Sequence, residues 1–131
     1  MQSSNFGYGF RLHHIGVYVE NLSNLVQIEN IIKDPGQGVY LSFIKLGDST
    51  IELLQPIDEN SPVFAAANRG QKLLHLCYEV DDLNRAIQTC IDSKFFLVRS
   101  PVTAVAYPGQ KIAWLFSKKF GLIELLGDKT K

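Results

Sequence analysis

Two histidines and two glutamates of this 131-residue chain recur in a pattern that chemistry can use. His14 lies in Leu12-His13-His14-Ile15-Gly16-Val17-Tyr18-Val19, and His75 in Leu73-Leu74-His75-Leu76-Cys77-Tyr78-Glu79-Val80. Glu52 lies in Thr50-Ile51-Glu52-Leu53-Leu54, and Glu124 in Leu122-Ile123-Glu124-Leu125-Leu126. Side chains alternate across an extended strand, so each of the four shares a face with few of its apolar neighbours. A lone strand histidine is ordinarily a hydrogen-bonded structural residue, and a lone strand glutamate ordinarily reaches solvent. A carboxylate flanked by Ile and Leu is costly to bury unpaired, so Glu52 and Glu124 must meet water, a cation or a hydrogen-bond donor. Recurrence of the same residue type at matching places in two halves selects the ligand role. Two imidazoles and two carboxylates form a mixed nitrogen and oxygen set suited to one divalent cation, Zn, Ni, Co, Mn or Fe, among which affinity order alone does not choose. With octahedral coordination, two positions stay open for water or for two substrate oxygens, which permits Lewis-acid stabilisation of an enolate.

The elements that position these groups follow from the same duplication. His14 and His75 are 61 residues apart, and Glu52 and Glu124 are 72 apart. A third pair, Pro35-Gly36-Gln37-Gly38-Val39-Tyr40 and Pro108-Gly109-Gln110-Lys111-Ile112-Ala113, keeps the order in both halves. The first half is therefore about eleven residues shorter between its first strand and its Pro-Gly turn. In the second half that stretch predicts a helix capped by Asp81 or Asp82, running through Leu83, Ala86, Ile87, Cys90 and Ile91 and ending near Ser93. Only Leu22, Leu25, Val26, Ile28, Ile31 and Ile32 remain in the first half, which predicts a short or irregular helix. The expected fold class is α+β: paired βαβββ modules forming a curved mixed sheet around a cleft, with the first helix shortened. Residues 1–131 form one domain in this reading, with module one at about 10–57, a connector at 58–71 and module two at about 72–127. Asn60-Ser61-Pro62 reads as a turn and helix start, leading into a helix through Phe64 to Asn68.

Composition narrows the partners. Thirteen Lys plus Arg balance thirteen Asp plus Glu, so no global positive field exists to attract nucleic acid or an anionic membrane. Hydrophobic residues make up 46% and charged ones 20%, the mixture of a globular protein, and no apolar run approaches the length that spans a bilayer. The start, MQSSNFGYGF, lacks a basic flank followed by an apolar stretch, which predicts a cytoplasmic protein. Cys77 and Cys90 make no metal-binding pair by spacing and are expected to be small buried hydrophobes.

Four strings, LHHIGVYVENL, STIELLQPIDENSPV, LLHLCYEVDDLNRAI and KIAWLFSKKFGLIELL, resemble in order the vicinal oxygen chelate superfamily, over about residues 11 to 127. That superfamily includes glyoxalase I, methylmalonyl-CoA epimerase, extradiol dioxygenases and bleomycin-resistance proteins, and the strings look most like the epimerase. The resemblance implies metal binding by His14, Glu52, His75 and Glu124, with Glu124 able to loosen and act as a catalytic base. It also implies a second catalytic carboxylate after the Pro-Gly-Gln-Gly turn, at a position that here is Leu41. Leucine moves no proton, so Tyr40 and Tyr107 are the candidate substitutes, and these two with Trp114 are expected to contact substrate. The expected activity is that of a metal-dependent isomerase or lyase stabilising the enolate of a small oxygenated substrate, methylmalonyl-CoA epimerase-like or glyoxalase-like. The alternative is a non-catalytic binder of an antibiotic or natural product. A ring-cleaving dioxygenase fits less well, because Glu52 supplies a fourth ligand where that resemblance implies three. The site is completed either within one chain or across a homodimer.

Overall fold

A computed structural model describes residues 7–128; the first six residues, part of the start read above, and residues 129–131 lie outside it. Its strands are β1 (Arg11–Tyr18), β2 (Ile32–Asp34), β3 (Val39–Leu46), β4 (Ser49–Pro56), β5 (Leu73–Glu79), β6 (Phe96–Thr103), β7 (Lys111–Ser117) and β8 (Gly121–Gly127), and its helices are α1 (Pro62–Asn68) and α2 (Leu83–Asp92). The described residues divide into two compact units, residues 14–75 in one, and residues 7–13 with residues 76–128 in the other. No helix among the described residues is long and apolar enough to cross a membrane.

In the unit of residues 14–75 the strands run in the order β2-β3-β4-β1. β1 and β4 are parallel, with Gly16 opposite Glu52, and β3 and β4 are antiparallel, with Phe43 opposite Glu52. Paired residues share a face, so His14, Gly16, Glu52, Leu54, Leu41 and Phe43 lie on one side of the sheet. The other side carries Ile51 and Leu53, which pack with the fully buried Leu22 and with Ile15, Val17 and Tyr40.

The shortened helix of the first half is resolved into two 3-10 turns, Leu22–Asn24 and Ile28–Asn30. A 3-10 spiral rises about 2.0 Å per residue against about 1.5 Å in an α-helix, so it covers more of a sheet with fewer residues. Asn21 caps the first turn by accepting from the Ser23 amide, and the Leu22 amide donates to the Gln55 side chain on β4 at 2.8 Å. These two bonds hold Leu22 down on the apolar face although no full helix forms there. The connector forms α1 from Pro62 to Asn68, with Ser61 as its cap and Pro at the first position, two residues longer at its start than predicted.

In the other unit the order is β5-β8-β7-β6. Asp82 caps α2, accepting from the Arg85 amide at 3.1 Å. Leu83, Ala86, Ile87 and Cys90 are buried as expected and pack with Ala113, Leu115, Ile123 and Leu125 of β7 and β8. Ile91, placed on that face by its spacing, is instead 40% exposed. It lies about a quarter turn from the centre of the stripe formed by the other four. Burial pushes the Cys90 thiol up to about 11, so it remains the protonated small hydrophobe its sequence context suggests.

Helix α2 ends in a left-handed residue that is not glycine. Lys94 has φ 74°, and the Phe95 amide returns to the Cys90 carbonyl at 3.0 Å while Phe95 enters the core. A β-carbon at that backbone angle is strained. Lys94→Gly is therefore expected to stabilise the protein by roughly 0.5–1 kcal/mol, seen as a raised thermal midpoint; an unchanged or lowered midpoint would show that the turn carries no strain.

Candidate metal centre

His14 enters the unit of residues 14–75 on β1, Glu52 stands in the middle of β4, and His75 closes the unit at β5. All three are almost fully buried, at 2%, 6% and 6% exposure. The Nε2 atoms of His14 and His75 lie 3.3 Å apart, and Glu52 Oε1 lies 3.3 Å from the first and 3.4 Å from the second. The two imidazole planes stand nearly perpendicular, at 83°, and the Phe43 ring packs edge-on against His14 with ring centres 5.7 Å apart. Two ring nitrogens and one carboxylate oxygen thus share a single point on a face otherwise lined by Leu41, Phe43 and Leu54.

The donor chemistry fits a divalent cation. Donors bound at about 2.0–2.2 Å to one metal stand roughly 3.0–3.5 Å from one another, and the three observed separations fall in that range. Burial by hydrophobic neighbours fixes the side chains and excludes competing water, and two neutral imidazoles with one carboxylate leave a divalent ion partly uncompensated. Such an ion would attract a further anionic ligand.

Glu124 belongs to the other unit. It stands on β8, 5% exposed, in register with Cys77 on β5 and Trp114 on β7. That register puts it on the side of the sheet that carries Ile112, Leu126 and Cys77, which pack with Ala104, Val102 and Tyr107. Tyr107 and Trp114 therefore accompany Glu124, and the Tyr107 ring meets His13 edge-on at 4.9 Å.

Tyr40 does not join this face. It opposes Gln55, not Leu54 or Glu52, and packs with Leu22, Ile51 and Leu53 on the apolar side, with the Lys33 ammonium 5.9 Å above its ring. This register puts Tyr40 on the face opposite to Glu52 and Leu41. Leu41 itself is 1% exposed and shares the face of Glu52 through its pairing with Leu54. Sequence reading also passed over Phe43 and Gly16. Gly16 carried a usable signal, because glycine inside an apolar strand marks a close approach by another group.

A family model described as the glyoxalase/bleomycin resistance protein/dioxygenase superfamily matches residues 13–114. The chain belongs to that superfamily. The span covers His14, Glu52 and His75 and stops before Glu124. Among curated superfamily relatives, the chain is 30% identical over 128 residues to ethylmalonyl-CoA/methylmalonyl-CoA epimerase of Cereibacter sphaeroides, covering 88% of this chain and 96% of that protein. It is 29% identical to the human mitochondrial methylmalonyl-CoA epimerase, covering 88% of this chain and 72% of that one. A solved structure of a Streptomyces coelicolor methylmalonyl-CoA epimerase variant, in complex with 2-nitronate-propionyl-CoA, superposes with a TM-score of 0.75 at 23% identity, covering 90% of this chain and 96% of that one. The last likeness establishes the glyoxalase-like fold.

Proposed function

We propose that His14, Glu52, His75 and Glu124 together bind one divalent cation and that the protein is a metal-dependent isomerase acting on an acyl-CoA thioester. The observation that carries the reading is the buried convergence of His14, Glu52 and His75 at coordination spacing. Glu124 joins them by the duplication, as the buried second-half counterpart of Glu52. The relatives support the substrate class, since they are epimerases named for methylmalonyl-CoA and ethylmalonyl-CoA.

When bound, the cation supplies Lewis acidity that favours negative charge on the substrate's oxygens and so acidifies the carbon between them. The chain's own residues do the rest. His14, Glu52 and His75 hold position because their strands are paired and their rings and carboxylate are packed. Glu124, as the carboxylate of the second half, takes the proton from the α-carbon, and inversion is completed when a second donor, for which Tyr107 is the candidate, delivers a proton to the opposite face of the enolate. Leu41, Phe43 and Leu54 present hydrocarbon, keep water from the enolate and offer no group for proton transfer on their side. Lyase chemistry from the same enolate, in which a carbon substituent leaves in place of the proton, is the neighbouring outcome.

The test combines metal analysis with isotope exchange. Purified protein is expected to hold about one divalent ion per chain and to wash deuterium from solvent into the α-carbon of methylmalonyl-CoA. Metal without exchange would eliminate this substrate, and a folded metal-free protein that binds a natural product unchanged would replace the enzyme by a sequestering protein.

A further inference from the structure

Gly16 in β1 has no room for a side chain, because the ring of a proposed ligand occupies the space. A β-carbon built on Gly16 would lie 2.1 Å from Cε1, 2.3 Å from Nδ1 and 2.8 Å from Nε2 of His75. Real β-carbons essentially never come within 3.0 Å of another heavy atom, so the ring could not stay where it is beside any other residue. Gly16 is also the register partner of Glu52, the carboxylate that the same ring reaches. The imidazole lies against the backbone of β1, over the one position where that backbone carries no side chain. The second repeat places Cys77 at the corresponding position, two residues after its histidine, so the two halves are not interchangeable here.

We propose that Gly16 is a positioning residue for His75. Its missing side chain admits the imidazole across β1, so that Nε2 reaches Glu52 Oε1 and His14 Nε2. Adding one methyl group forces the ring outward by about an ångström or more, beyond the roughly 0.5 Å tolerance of a preorganised site. The backbone at Gly16 is not in the left-handed region, so alanine adds a steric demand and no conformational one. The inference rests on the metal-binding reading for its consequence, and on the ring contact alone for its geometry.

The experiment is a double-mutant cycle with two readouts. Wild type, Gly16→Ala, His75→Ala and the double variant are titrated with cobalt(II) by calorimetry and visible absorption. Imidazole NMR of the metal-free wild type and Gly16→Ala proteins reports the contact between the His14 and His75 rings. Gly16→Ala is expected to bind cobalt 10- to 100-fold more weakly, the loss typical of disturbing a ligand's support, and to lose the ring-to-ring contact. In the His75→Ala background the same substitution is expected to cost nothing further. An additive loss in that background would overturn the proposal, as would Gly16→Ala retaining both affinity and ring contact. If wild type binds no cobalt while the ring contact is lost in Gly16→Ala, the metal reading fails and the positioning role stands.

Discussion

Glu52→Ala is expected to strip the protein of its divalent ion while leaving it folded. Glu52 is the one anionic donor in the unit of residues 14–75 that touches both imidazoles, at 3.3 and 3.4 Å. Without it, two neutral ring nitrogens face a divalent ion with no charge compensation from that unit, and affinity should fall well beyond the 10- to 100-fold that follows from disturbing an outer partner. The apo protein should not suffer in proportion. Removing a carboxylate that is 6% exposed and flanked by Ile51 and Leu53 also relieves the cost of burying its charge. Elemental analysis after gel filtration, with a thermal melt of the same sample in chelator, separates the two effects. A variant that keeps one ion per chain would remove Glu52 from the site. A variant that loses the ion and also melts far below chelated wild type would make Glu52 a structural residue first.

Glu124→Gln is expected to behave differently, reducing deuterium wash-in by about 10²- to 10⁴-fold, the usual contribution of a positioned general base. Glutamine keeps an oxygen that can bind a cation and loses the ability to take a proton. Its volume matches, so the packing around Trp114, Ile112 and Leu126 should persist. Metal content should fall less than in Glu52→Ala, because three donors remain on the unit of residues 14–75. Exchange at the wild-type rate with metal bound would assign proton removal to another group. Tyr107 is the next to examine, since Tyr40 lies on the other face and Leu41 has no proton to give.

The duplication singled out a candidate donor set before any coordinates. It matched His14 with His75 and Glu52 with Glu124, and the three that fall in one compact unit meet at 3.3 to 3.4 Å. The cap at Asp82 and the buried stripe Leu83, Ala86, Ile87 and Cys90 were legible because capping and helical period are local properties. The face of Tyr40 was not legible, because it depends on the register of β3 against β4, which two strands settle between them and one string of letters does not. The missing residues of the first half were countable. That two 3-10 turns would replace a helix depended on the distance left to span and on the long-range bond from Leu22 to Gln55. Gly16 was visible as a glycine in a strand, but nothing local said that the group approaching it was the second histidine.

The most direct test is anomalous diffraction from crystals of the protein loaded with cobalt or zinc. One peak per chain, bonded at about 2.0–2.2 Å by His14 and His75 nitrogens and by Glu52 and Glu124 oxygens, is the predicted result. A peak ligated without Glu124, or none despite an ordered His14, Glu52 and His75, would contradict it.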